Sequence, residues 1–206
     1  MIKKLVILGD SFTQKGFTPG GYCAELTNFY QRRLRVEAWG LSGYTSRHVL
    51  RYFPELHINP QETELLIVFL GANDCQVGPN GFLTSPDEFR SNITALLDTF
   101  PTSKKIVISP PISTKLISYE RVQKPFVDEI YKIANARDDT VAIHFYEESQ
   151  THPTPELLFC DGLHLTAMGN SLLFRLIVEC IQRNYPELLP KNIPLFLPYF
   201  EDIVLT

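Results

Sequence analysis

The feature that most constrains this chain is a recurrence: short apolar runs, rich in β-branched residues, end in glycine or small polar loops, and a helical pattern follows. The runs are Leu5 to Leu8, Leu34 to Trp39, Leu65 to Leu70, Ile106 to Ser109 and Val141 to Phe145. Several are apolar at nearly every position, which suits a strand covered on both faces. Of the helices between them, the best marked begins at Ser85. Ser85 can cap it, Pro86 fits the first helical position, Glu88 can complete a capping box, and Phe89, Ile93, Leu96, Leu97 and Phe100 share one face. Thr166 can cap a last helix with the stripe Leu172, Leu173, Leu176, Ile177, Cys180 and Ile181. Strand and helix in alternation predict an α/β chain. Its expected form is a three-layer α/β/α sandwich around a doubly wound parallel sheet of about five strands, with the ligand site at the strands' carboxyl ends.

Composition narrows the function. The 206 residues are 44% hydrophobic and 20% charged, enough for a real core, and one domain over 1–206 is expected. Lys and Arg number 19 against 23 Asp and Glu, a net charge of −4 with the signs interleaved, so neither nucleic acid nor an anionic membrane is an expected partner. The apolar run after Lys3-Lys4 stops at Gly9-Asp10, too short for a signal peptide, and nothing approaches the ~18 apolar residues of a membrane span. Cys23, Cys75, Cys160 and Cys180 have no metal-ligand spacing, so free thiols and a cytoplasmic location are expected. From Tyr185 the tail, 185–206, alternates prolines with Ile193, Leu195, Phe196, Leu197, Tyr199 and Phe200. It is too apolar to float free, so it is expected to dock and to border the substrate entrance or a contact with a second copy.

The chemistry collects where three strands end: Gly9-Asp10-Ser11, Gly40 to Ser46, and Gly71-Ala72-Asn73-Asp74. A serine at a strand-to-helix turn exposes its hydroxyl beside helix N-terminal amides, but it needs a base to attack a carbonyl near neutral pH. His164 can be that base, held by Asp161 three residues earlier, a spacing of about one helical turn. Donors for the developing oxyanion are the backbone N–H groups of Ser11 and Gly43 and the side-chain amide of Asn73. Phe12, Phe17, Tyr22, Tyr44 and Phe82 lie in or near these loops and are candidates for an apolar substrate pocket.

Gly9-Asp10-Ser11, Gly43 before Tyr44-Thr45-Ser46, Gly71-x-Asn73-Asp74 and Asp161-x-x-His164 stand in the order found in SGNH (GDSL-type) hydrolases. Phe17 to Gly21, Gly43 to Arg47, Asp161 to Leu165 and the proline-rich ending most resemble the family's isoamyl-acetate-hydrolysing esterase branch. The resemblance implies a flavodoxin-like sandwich and a serine esterase acting on short acyl esters without cofactor or metal. It implies Ser11 as nucleophile, Asp161 and His164 as acid and base, and Ser11, Gly43 and Asn73 as oxyanion hole. Where the family usually has Asn-Arg-Gly or similar before the second block, Ala38-Trp39-Gly40 stands here, so that loop is expected to be held differently.

Other readings stay in view. Within the family they are a thioesterase, a lysophospholipase or a sugar-acetate esterase. Outside it, Asp10, Asn73, Asp74 and His164 could ligate metals in a phosphoesterase, or the scaffold could be a binding module without catalysis. Ser42 is not the nucleophile of an α/β-hydrolase elbow, since Tyr44 stands where glycine is needed. Asn92-Ile93-Thr94 is read as helix rather than glycosylation site, Asp10 as structural, Cys75 and Cys160 as small buried residues, and His48, His57, His144 and His152 as surface or core.

Overall fold

A computed structural model describes residues 2–78, 81–82, 84–112 and 120–203, with the backbone alone at 78, 81–82 and 120–122. Five strands form one parallel sheet: β1 (Lys4–Gly9), β2 (Arg35–Gly40), β3 (Thr63–Phe69), β6 (Lys104–Ile108) and β7 (Thr140–Ile143), in the order β2-β1-β3-β6-β7. The order reverses between β1 and β3, and the crevice at such a reversal is where doubly wound sheets bind ligands. A two-stranded hairpin, β4 (Val77–Gly78) with β5 (Gly81–Phe82), interrupts the alternation and was not apparent from the sequence.

Because strand side chains alternate, each central strand feeds two cores. Leu5, Ile7, Leu65, Ile67, Phe69, Ile106 and Ile108 meet α2 (Tyr22–Phe29) and α7 (Ala167–Asn184) on one face. Val6, Leu8, Leu66, Val68 and Val107 meet α3 (Ser46–Tyr52), α4 (Pro86–Asp98) and α5 (Glu120–Asn135) on the other. Two more helices, α1 (Ser11–Gln14) and α6 (Phe145–Thr151), follow β1 and β7 directly. Phe145 therefore starts a helix rather than ending a strand.

The caps form at the expected places. Ser85 Oγ accepts from Glu88 N at 3.2 Å, and Thr166 Oγ1 from Gly169 N at 3.2 Å. Glu88 does not complete a capping box; its carboxylate takes a two-pronged bond from Arg47 at 2.5 and 2.6 Å, joining α4 to α3. The reciprocal box is instead at α3, between Thr45 and His48, which gives His48 a structural task.

Lys105 has no exposed surface, and its ammonium reaches Asp139 at 2.7 Å and the Ser103 carbonyl at 2.9 Å. Burial pushes the Asp139 carboxyl up, but bonds from Arg137, Lys105 and Thr140 outweigh it and hold the group well below the ordinary carboxylate range. A depressed folded pKa stabilises above the unfolded value, so this contribution is present from about pH 5 upward and is lost as acid is added. Asp139→Asn is expected to lower stability by about 2–3 kcal/mol in urea unfolding near neutral pH, less than for a fully buried pair because Asp139 partly meets solvent. Lys105→Met, which removes the charge instead of orphaning it, is expected to cost less.

The tail is held at the amino ends of the strands. Phe196 N donates to the Arg32 carbonyl at 3.0 Å, the Arg32 guanidinium donates to Pro198 O at 2.8 Å and lies 4.5 Å from the Tyr199 ring centroid, and Arg33 donates to Ile193 O. With Ile2, Lys3 and Glu64 it lines a cleft at that end of the sheet. The expectation that it borders the substrate entrance is corrected: the loops that carry Ser11, Gly43 and Asn73 are at the opposite, carboxyl ends of the strands. Among the described residues no helix is long and apolar enough to cross a membrane.

Candidate active site

Gly9 closes β1, and Asp10 turns the chain into α1 by accepting Phe12 N on Oδ1 at 3.0 Å. Ser11 is the first helical residue, so its N–H has no partner within the helix and is left for a ligand. Its Oγ lies 2.9 Å from His164 Nε2, and His164 Nδ1 lies 2.8 Å from Asp161 Oδ2. Asp161 Oδ1 accepts the backbone N–H groups of Leu163 at 3.0 Å and His164 at 2.8 Å. The bonds from the His164 ring, then from its backbone N–H, hold the Asp161 carboxyl well below the usual range. It is therefore a charged acceptor that fixes the ring with its proton on Nδ1 and its lone pair on Nε2 toward serine.

The Asp161–His164 segment is not a helical turn, as the spacing suggested. It is a bend in which Gly162 takes φ +81° and Cys160 N closes on the His164 carbonyl at 2.8 Å. In this bend one aspartate holds both the ring and the backbone of the same histidine. Cys160, read from sequence as buried, is exposed on this bend; Cys75 is buried, and all four cysteines are free thiols.

The other two loops complete the arrangement. Gly43 has φ +80°, and a Cβ there would meet no atom within 4 Å, so it is the left-handed backbone rather than crowding that calls for glycine. Asn73 Nδ2 donates to the Tyr44 carbonyl at 2.9 Å and its Oδ1 accepts from Gln76 Nε2 at 3.1 Å. Both partners agree on which end of the amide is nitrogen, and among the described residues the second amide hydrogen has no protein acceptor. Gln14, one turn after Ser11, accepts Ser42 N on Oε1 at 2.9 Å, which ties the loop bearing Gly43 to the helix bearing the serine. Gln14 and Gln76 were missed from sequence because an amide side chain has no chemical signature until its partners are known.

Asp74 stands apart from the line of Ser11, His164 and Asp161. It is buried and accepts Ser46 N at 3.0 Å on each oxygen and Ser46 Oγ at 2.6 Å, bracing the turn after β3 against α3. Among the described residues no three His, Cys, Asp or Glu side chains are grouped to hold a metal ion. Of the aromatic residues expected at the pocket, Phe12 is buried with its ring 5.9 Å from that of His164, and Tyr44 is half-buried beside His48. Phe17 is exposed. Tyr22 is sealed in the core with its hydroxyl 2.7 Å from Thr13 Oγ1, so it lines no open pocket, and the Phe82 side chain lies outside the described residues.

A serine, a histidine and an aspartate in one hydrogen-bonded line, at the reversal point of a parallel sheet, define a serine hydrolase of the α/β sandwich type. The chain belongs to the GDSL-like lipase/acylhydrolase family, whose model matches residues 7–172. It is 54% identical over 208 residues to the isoamyl acetate-hydrolyzing esterase of Schizosaccharomyces pombe, covering 98% of this chain and 85% of that protein. The Saccharomyces cerevisiae isoamyl acetate-hydrolyzing esterase is 26% identical, over 98% of this chain and 95% of that protein. A lipase/acylhydrolase structure from Enterococcus faecalis superposes with a TM-score of 0.70 at 22% identity, covering 96% of this chain and all of that one. The protein is thus an ester hydrolase of this family.

Proposed function

We propose that the protein hydrolyses short-chain acyl esters, acetates foremost, through an acyl-enzyme on Ser11. The observation that carries this is the line from Ser11 Oγ to His164 Nε2 and from His164 Nδ1 to Asp161, at 2.9 and 2.8 Å. As Oγ attacks the ester carbonyl carbon, its proton passes to Nε2 and the carbonyl π pair moves onto oxygen, where the Ser11 and Gly43 N–H groups and the Asn73 amide receive it. Collapse breaks the bond to the alcohol oxygen, which takes the proton from Nε2. Water then repeats the attack on the acyl-serine, with His164 again as base, and releases the carboxylic acid. Asp161 stays ionised throughout and stabilises the imidazolium. The cycle calls for no cofactor. Support for an acetate-type acyl group comes from the two relatives named for isoamyl acetate hydrolysis. Four unpaired thiols support a reducing, cytoplasmic setting.

A fluorophosphonate probe is expected to modify the protein once, at Ser11, as read by peptide mass spectrometry. Across p-nitrophenyl esters, kcat/KM is expected to be highest at the shortest acyl chains. Labelling elsewhere would overturn the mechanism, and a maximum at long chains would overturn the acyl preference.

A further inference from the structure

Asp10 is the carboxyl that the mechanism leaves unused, and its surroundings are unusual. The residue is 1% exposed, Oδ1 accepts Phe12 N, and Oδ2 is buried with no hydrogen-bond partner. The titratable groups that face it are acidic or neutral: Asp74 and Cys75 from the turn after β3, and Tyr22 from α2. No lysine or arginine pairs with it among the described residues, and His164, the basic group of the site, bonds to Ser11 instead. A lone buried carboxylate is far more costly than a buried carboxylic acid short of one bond. Asp74 differs, since its bonds from Ser46 suit the charged form.

We propose that Asp10 is a positioning residue that must be uncharged during acyl transfer, so that its ionisation closes the alkaline side of the reaction's pH range. The reason is placement. The Asp10 carbonyl carbon is bonded to Ser11 N, whose N–H faces the oxyanion in the cycle described above, a reading on which this role rests. Neutral, the side chain caps α1 and aims that N–H. Ionised, it sets a second negative charge beside the oxyanion; for the separation of about 6 Å that covalent reach from Ser11 N allows, at an effective dielectric of about 20, the repulsion slows the step by about 10²-fold. Burial, reinforced by Asp74 and partly offset by the backbone N–H groups of Phe12 and of Asp10 itself, pushes the carboxyl up to about 7, so the transition falls below pH 9.

Asp10→Asn keeps the acceptor for Phe12 N and cannot ionise. The ratio of kcat at its pH maximum to kcat at pH 9 is expected to be about 10² for the wild type and near one for Asp10→Asn, in which loss of the His164 proton alone shapes the profile, with KM following neither change. A wild type without the alkaline fall, or a variant that falls as steeply, overturns the proposal, since a merely structural cap would shift stability and not this ratio. Should the variant fail to fold, the Asp10 carboxyl carbon of the wild type is titrated by carbon-13 NMR. A midpoint above about pH 6 supports the role, and one below it overturns it. Fluorophosphonate labelling of the same samples separates the failures: labelled Ser11 with an unchanged alkaline fall removes only Asp10, whereas unlabelled Ser11 removes the acyl-enzyme and this role together.

Discussion

Replacing Ser11 with alanine is expected to lower ester hydrolysis by about 10⁴-fold or more while leaving the unfolding transition almost where it was. The change deletes one oxygen whose hydrogen-bond partner within the protein is His164 Nε2, and every apolar contact of β1 and α1 survives it. His164→Ala is expected to be nearly as severe, because without an acceptor for its proton the hydroxyl stays a weak nucleophile and only the oxyanion donors remain to help it. The two effects do not add: the double variant should be no slower than the worse single one, since both remove the same step. Steady-state rates on p-nitrophenyl acetate, with purity established by mass, check this. Retention of more than about 1% of the activity in either variant would dismiss that residue from the reaction.

Asn73→Ala should show itself in kcat, with a fall of about 10²–10³-fold and little movement of KM, because its free amide hydrogen meets full negative charge only in the transition state. The surrounding bonds sharpen the expectation. Tyr44 O and Gln76 Nε2 fix the amide in one orientation before substrate arrives, so little reorganisation is left for the reaction to supply. Gln76→Ala should therefore lose activity in the same direction and by less. A rise in KM at constant kcat would make Asn73 a binder of the ester ground state.

What could be seen in the chain before its structure follows a simple division. Strands that feed two cores must be apolar at consecutive positions, so β1, β3 and β6 were visible, and the loops that follow β1, β2 and β3 must share one edge of the sheet. Ser11, Gly43 and Asn73 were legible for that reason. Local caps at Ser85 and Thr166 were legible too, since a cap depends on three or four residues. Features set by distant partners were not. Glu88 has the spacing of a capping box and pairs with Arg47 instead; Cys160 belongs to an apolar stretch and yet sits outside; the tail docks at the strands' amino ends because Arg32 and Arg33 are there to hold it. Asp10 was read as structural and no more, because burial on every side cannot be read from its neighbours in sequence. The hairpin of β4 and β5 pairs only two residues in each strand, too short to leave a pattern.

Gly40 carries a consequence for how this enzyme can change. A Cβ at that position would lie 1.9 Å from Gln14 N, so the backbone of α1 rests directly on the end of β2 with no side chain between them. Ser11 is thus mounted on a floor that tolerates no added atom, and moving it by a fraction of an ångström would misalign it with His164. Directed evolution toward bulkier esters therefore has little to gain from the floor. Its room lies on the exposed loop beside Gly43, at positions such as Ser42, where a new side chain can reshape what enters without disturbing where it reacts.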